Sequence, residues 1–211
     1  MNRLLFFTFC LLFSLGVKAQ PKGYQPIKNV AEFQQKLSTA TASLKSLQAD
    51  FVQTKHLALL ADKIVSKGLF SYQKDDKVRI EYKTPFQYLM VMNGGTILVR
   101  DEQKSTRINT RNSKMMQSVN RIMVDCMSGR VFSNPDFKVS AYSSSSRDLL
   151  LLRPVSADLQ RIYSSIEVYL NKSDMDVVML VLKEPNGDYT EMVYSGTRHN
   201  LALNESLFKT R

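Results

Sequence analysis

Between residues 47 and 196 apolar and polar residues alternate with a period of two in one short run after another, and this alternation limits the fold more than any other feature. Six runs, approximately 47–56, 65–73, 77–83, 86–92, 96–100 and 103–108, are separated by turn residues at Asp75-Asp76, Thr84-Pro85, Asn93-Gly94-Gly95 and Asp101-Glu102. Five more, approximately 136–143, 147–153, 164–171, 175–183 and 188–196, close the chain, and Pro185-Asn186-Gly187-Asp188 marks a tight hairpin between the last two. Loops this short join antiparallel neighbours. The pattern predicts eleven strands in two meanders.

The period changes to that of a helix in two places. Over 30–47 the apolar positions Val30, Phe33, Leu37, Ala40, Leu44 and Leu47 recur at steps of three and four, with Asn29 placed to cap the start. Between the strand groups, Met115, Met116, Val119, Ile122, Met123, Cys126 and Met127 predict a second amphipathic helix over 113–128, ended by Gly129 in the left-handed conformation. One helix before the sheet and one inserted into it describe an α+β chain whose single antiparallel sheet curls around its helices.

Residues 1–19 have the plan of a secretory signal: Arg3, an apolar run to Leu15, and small residues at Val17 and Ala19 before Gln20. The expected mature chain is one domain over 20–211, exported, with no apolar stretch long enough to be a transmembrane helix. Cys10 lies in the apolar run behind Phe9, where a lipoprotein signal would need a small residue, so it is read as part of the discarded segment. The formal charge of +10 becomes +8 once Arg3 and Lys18 are removed, which favours anionic surfaces and acidic partners. Lys and Arg are scattered along the chain, and export takes it away from nucleic acid, so no nucleic-acid role is expected.

The residues that usually carry chemistry are sparse. His56 and His199 have no histidine or cysteine at metal-site spacing, and Asp75-Asp76 and Asp174 with Asp176 sit where turns favour aspartate. There is no nucleophile elbow, phosphate loop or dinucleotide fingerprint. Cys126 lies on the apolar stripe of the second helix, the position of a small buried hydrophobe. Neither an enzyme nor a cofactor is expected. The four methionines of that helix suit an adaptable apolar surface, although a methionine stripe at helical spacing is more often plain core.

Several stretches together resemble the periplasmic outer-membrane lipoprotein carrier family, the LolA-like proteins. They are Leu47-Gln48-Ala49-Asp50-Phe51-Val52-Gln53-Thr54-Lys55 with its Phe-x-Gln centre, Ser66-Lys67-Gly68-Leu69-Phe70-Ser71-Tyr72, Lys77-Val78-Arg79-Ile80-Glu81-Tyr82-Lys83-Thr84-Pro85, and the apolar strand entering Asn93-Gly94-Gly95. Asn200, Leu203 and Phe208 are similar to the family's closing segment. The chain departs from many relatives in having no tryptophan, with Val78 and Ile80 where they place aromatic residues. The resemblance implies an incomplete β-barrel with a helical lid. It also implies a periplasmic, monomeric carrier that takes acylated lipoproteins from an inner-membrane releasing transporter to the outer membrane, with transient membrane contact and an outer-membrane acceptor. A basic residue near the third strand is expected to latch the lid, with Lys74 and Arg79 as candidates. With apolar positions turned inward, the acyl-chain lining is expected to be Phe51, Leu69, Val78, Ile80, Tyr82, Tyr88, Met90 and Met92 from the sheet and Met115, Met116, Val119, Ile122 and Met123 from the lid. Three other readings stay open on the sequence: a carrier or sensor of free lipids or glycolipids, an exported hydrolase using a serine and one histidine, and a structural envelope protein without a cavity.

Overall fold

The computed structural model describes residues 21–59, 62–110 and 114–210. The expected signal segment, with Cys10, and Ser113 at the start of the second helix lie outside them. Helix α1 (Val30–Ala42) begins where Asn29 accepts a hydrogen bond from the Glu32 backbone N–H at 3.2 Å. It turns Phe33 and Leu37 into the core. The helix is shorter than its sequence pattern: Leu47 belongs to the following strand and Leu44 to the connection, yet both face the core that α1 faces. Their spacing imitated another helical turn.

Twelve strands follow the alternation: β1 (Gln25–Pro26), β2 (Ser46–His56), β3 (Lys63–Gln73), β4 (Lys77–Thr84), β5 (Tyr88–Asn93), β6 (Thr96–Arg100), β7 (Ser105–Asn109), β8 (Phe137–Ser143), β9 (Arg147–Pro154), β10 (Ser165–Asn171), β11 (Val177–Lys183) and β12 (Tyr189–His199). Eleven correspond to the runs read from sequence. The additional one, β1, has two residues, too few for any periodicity to register, and it pairs with β8 at the sheet edge. From edge to edge the order is β1, β8, β9, β10, β11, β12, β2, β3, β4, β5, β6, β7, with every pairing antiparallel and no closure between β7 and β1. The hairpin residues do what was expected of them: Gly94, Gly95 and Gly187 have positive φ, as do Asp75 and Asp76.

Helix α2 (Lys114–Ser128) carries the chain from β7 at one edge towards β8 at the other. Gly129 ends it at φ +70° and lies so close to α1 that a β-carbon would collide with the Thr41 hydroxyl and crowd Leu37. Thr41 Oγ1 donates to the Ser128 carbonyl at 3.1 Å, tying the ends of the two helices together. A short helix α3 (Ala157–Gln160), capped by Ser156, connects β9 to β10.

One face of the sheet, the inner face, packs with both helices into a single core that draws on β2 through β6 and β8 through β12. At its centre Phe51 lies opposite Gly68, and a β-carbon on Gly68 would stand 2.6 Å from the Phe51 ring and press on the Glu81 carbonyl. The glycine makes room for the ring. The outer face over β5 and β6 is covered by the carboxy-terminal segment, where Phe208 is fully buried against Val91 and Leu98 with Leu89, Leu203 and Leu207 around it. Polar ties fasten the segment: Asn93 Nδ2 donates to the Phe208 carbonyl at 3.0 Å, Arg79 to the Leu207 carbonyl at 3.2 Å, and Lys77 pairs with Glu205 at 2.7 Å.

Two substitutions test this packing by chemical denaturation. Gly68→Ala overfills a site bounded by backbone and should cost about 3 kcal/mol. Phe208→Ala empties a buried pocket and should cost roughly 3–5 kcal/mol, with the outer face of β5 and β6 losing amide-exchange protection first.

Candidate functional site

Alternation along each strand decides which residues meet on the inner face. Across β4 and β5 the opposed pairs Val78 with Met92, Ile80 with Met90, and Tyr82 with Tyr88 all point inward, as expected. Phe51 joins them from β2, edge-on to Tyr82 at 5.1 Å, and Tyr82 is edge-on to Tyr88 at 5.6 Å. The Tyr82 hydroxyl donates to Gln53 Oε1 at 2.8 Å, so both ends of the Phe-x-Gln sequence hold the same tyrosine. Burial pushes the Tyr82 phenol up to about 12. Ile122 of α2 is buried against this face. The backbone of α2 carries Met115, Met116, Val119 and Met123 along the helix, and their side chains lie outside the described residues.

One expected lining residue is on the other side. Leu69 lies opposite Asp50 and Glu81, on the outer face, and the inward positions of β3 belong to Gly68, Phe70 and Tyr72. Strand β3 has apolar side chains at both parities, so alternation alone did not choose its face. The glycine opposite Phe51 was the signal that could have done so. The sequence list also stopped at β5. The structure extends the same surface through Ile97 and Val99 of β6, and through Leu150, Leu152, Ile166, Val168, Leu180, Met192 and Tyr194 in the second meander.

Covering of this face is uneven. At one end the row Val78, Met92 and Ile97 is fully buried, whereas Tyr82 and Tyr88 at the other end, with Met90 and Val99 in the row between, are only partly covered, although Ala49 and Phe51 of β2 in those two rows are buried. Beside that loosely covered end is an apolar recess of about 260 Å³, formed by Ser66, Tyr82, Pro85, Phe86 and Tyr88. The inner face therefore grades from a dry core into a mouth.

Helix α2 is fastened at both ends by polar groups. Near its start Ser118 donates to Asp136 at 2.7 Å, and Arg121 reaches the same carboxylate at 3.5 Å. Near its end Asp125 accepts from Asn134 at 2.8 Å and from Arg130 at 3.5 Å, while Arg130 also reaches Asp76 in the β3–β4 turn at 3.2 Å. Burial raises the Asp125 carboxyl above its usual range, against the Asn134 and Arg130 bonds that favour its charged form. The bridge from helix to sheet thus runs from Arg130 to Asp76. Neither expected latch residue makes it: Arg79 is on the outer face, bonded to Leu207 and Glu81, and Lys74 borders a recess beside the helix ends without an ion pair among the described residues. The polarity is the reverse of the expectation, because the base follows the helix and the acid stands in the turn.

His56 stacks on Tyr189 at 4.0 Å, and His199 pairs with Asp176 at 2.8 Å at the opposite end of the β2–β12 ladder. Cys126 is buried, and burial pushes its thiol up to about 12, far from a reactive thiolate. No cluster of metal-ligating side chains occurs among the described residues.

Several solved structures resemble the chain. A LolA superfamily protein from Nitrosomonas europaea is 11% identical with a TM-score of 0.46, over 85% of this chain and 96% of that one. The Mycobacterium tuberculosis lipoprotein LppX is 11% identical with a TM-score of 0.42, over 84% and 100%. Pseudomonas aeruginosa MucB, in its complex with MucA, gives 13% and 0.47 over 86% and 60%. No curated protein matches the sequence. The profile of the family described as outer membrane lipoprotein carrier protein LolA matches residues 42–211, from the end of α1 through every strand of both meanders to the carboxy terminus. That match spans most of the chain, and the protein belongs to the LolA family.

Proposed function

We propose that this protein carries lipidated proteins through the periplasm, sheltering their acyl chains against the inner face of the sheet and handing them from an inner-membrane releasing transporter to the outer membrane. The observation that supports this reading is the graded inner face: a continuous apolar surface, dry at one end and loosely covered at Tyr82, Tyr88, Met90 and Val99, beneath a helix that carries four methionines. A sixteen-carbon chain left in water costs on the order of 12 kcal/mol at about 0.8 kcal/mol per CH₂, so transit needs such a surface. Release needs it to be adaptable rather than tightly complementary, and thioether side chains meet that need.

In this reading 1–19 is a cleaved export signal and 20–211 is the carrier. Helix α2 is the lid. It swings from the sheet as chains enter between it and the strands, and Arg130 with Asp76 is the catch that opens. The lining comprises Phe51, Val78, Ile80, Tyr82, Tyr88, Met90 and Met92 with Ile122 and the helix methionines, and Phe70 and Tyr72 replace Leu69 in β3. The Arg130–Asp76 bond is well exposed, so opening it costs little.

The first test mixes the purified protein with membrane vesicles that hold an active releasing transporter and a triacylated lipoprotein, or the same client without acyl chains. Acyl-dependent appearance of a soluble complex is the expected result. Release of neither client, together with phospholipid recovered from the protein by extraction and mass spectrometry, would favour a free-lipid carrier. The second test follows uptake of a fluorescent fatty-acyl probe by Arg130→Ala and Asp76→Ala. Each should speed uptake about fivefold, equivalent to about 1 kcal/mol of catch; Asp76→Ala should change global stability by less than about 1 kcal/mol, whereas Arg130→Ala also takes a partner from buried Asp125 and should cost more. Uptake at the wild-type rate in both variants would remove the catch from the mechanism.

A further inference from the structure

The projecting end of the β2–β3 hairpin presents large apolar side chains that no other described residue covers. Leu59, in the connection between the strands, is 98% exposed, and Phe86, in the neighbouring β4–β5 connection, is 71% exposed. Ile64 and Val65 are each about half exposed, and Val52 lies opposite Val193 on the outer face with both side chains exposed. Strand β3 produces this ledge because it outruns its neighbour: the last β4 pair joins Thr84 to Lys67, so residues 63–66 pair with β2 alone. Exposed lysines 63, 67 and 83 stand among these side chains. Among the described residues none of the three is in an ion pair, whereas Lys55 nearby is matched by Glu184 at 3.5 Å. Asp62 is the acid of the connection itself, and Glu191, opposite Thr54, stands on the outer face beside Val52 and Val193.

We infer that this ledge docks on the headgroup region of an anionic phospholipid bilayer, with Leu59 and Phe86 entering the interface and Lys63, Lys67 and Lys83 meeting lipid phosphates. A protein partner would be matched by a contiguous apolar centre with charges kept to the rim. Here single apolar side chains protrude and alternate with unpaired lysines, the arrangement by which a surface anchors in headgroups. Each lysine near an anionic surface strengthens binding about fivefold, and the protein's overall positive charge acts in the same direction. The recess formed by Ser66, Tyr82, Pro85, Phe86 and Tyr88 opens beside Phe86, so docking sets the mouth of the inner face against lipid. The use of that placement for delivering acyl chains rests on the carrier reading, whereas the docking itself does not.

The test is co-sedimentation of the protein from residue 20 onward with vesicles of phosphatidylcholine alone or phosphatidylcholine mixed with phosphatidylglycerol. The wild type should bind the mixed vesicles, bind the neutral ones at least about tenfold more weakly, and release as salt is raised. Leu59→Asp with Phe86→Asp, and separately Lys63→Glu with Lys67→Glu and Lys83→Glu, should each weaken binding to the mixed vesicles at least about tenfold. All five side chains are exposed, so unchanged thermal midpoints serve as the folding control. No binding by the wild type, equal binding by the variants, or binding only to vesicles that also contain a membrane protein would each overturn the inference, the last assigning the ledge to a protein partner. A fatty-acyl probe titration of the same samples separates the two proposals. Probe binding without vesicle binding removes the docking surface and leaves the carrier, and vesicle binding through the ledge without probe binding does the reverse.

Discussion

The structure depends on the pairing of β12 with β2. Each meander can form from local hairpins, but only this ladder, from Tyr189 opposite His56 to His199 opposite Leu47, joins them into one sheet. It brings together strands more than a hundred residues apart in sequence, against a loop-closure cost that grows slowly with length and is met by main-chain hydrogen bonds and shared burial. The inner face exists as one apolar surface because the two halves are fused here: Phe70 from the first meander lies edge-on to Tyr194 from the last strand at 5.6 Å.

The same topology explains the placement of α2. With β12 and β2 at the centre, β7 and the β1–β8 pair become opposite edges, and the chain must travel from one edge to the other between Asn109 and Phe137. The crossing passes an apolar face, so the segment that makes it is amphipathic and helical, with Ile122 and Met127 turned to the sheet. The buried Asp125–Asn134 bond and the Ser118–Asp136 bond fix its placement, and the exposed Arg130–Asp76 bridge adds a weak tie to the sheet. Burial dominates the attachment.

Much of the fold was legible in the sequence because alternation and turn chemistry are local. The hairpins at Asn93-Gly94-Gly95 and Pro185-Asn186-Gly187-Asp188, the Asn29 cap and the Gly129 stop all act over a few residues. The first two failures share a cause, since each required knowing what lay opposite. Leu44 and Leu47 extended a helical pattern because loop and strand residues here face the core that α1 faces. Leu69 was assigned inward because β3 is apolar on both sides, its outer side facing Asp50 and Glu81. Arg79 was a latch candidate through the family resemblance alone, and with Val78 and Ile80 inward the alternation of β4 already turns it outward, where it meets the carboxy-terminal segment.

By itself, then, the sequence determined the kind and order of eleven of the twelve strands and of α1 and α2, the antiparallel neighbours within each meander, and the apolar character of one strand face and one helix stripe. Those are properties of single elements and adjacent pairs, set by side-chain period and backbone preference. Only the tertiary structure decided that β12 meets β2, that the inner face passes from a packed core to a partly covered end, and that Arg130 rather than Lys74 or Arg79 ties the end of α2 to the β3–β4 turn. These depend on contacts between residues far apart in the chain, and a periodic pattern carries no information about its distant partner until the strands have been placed side by side.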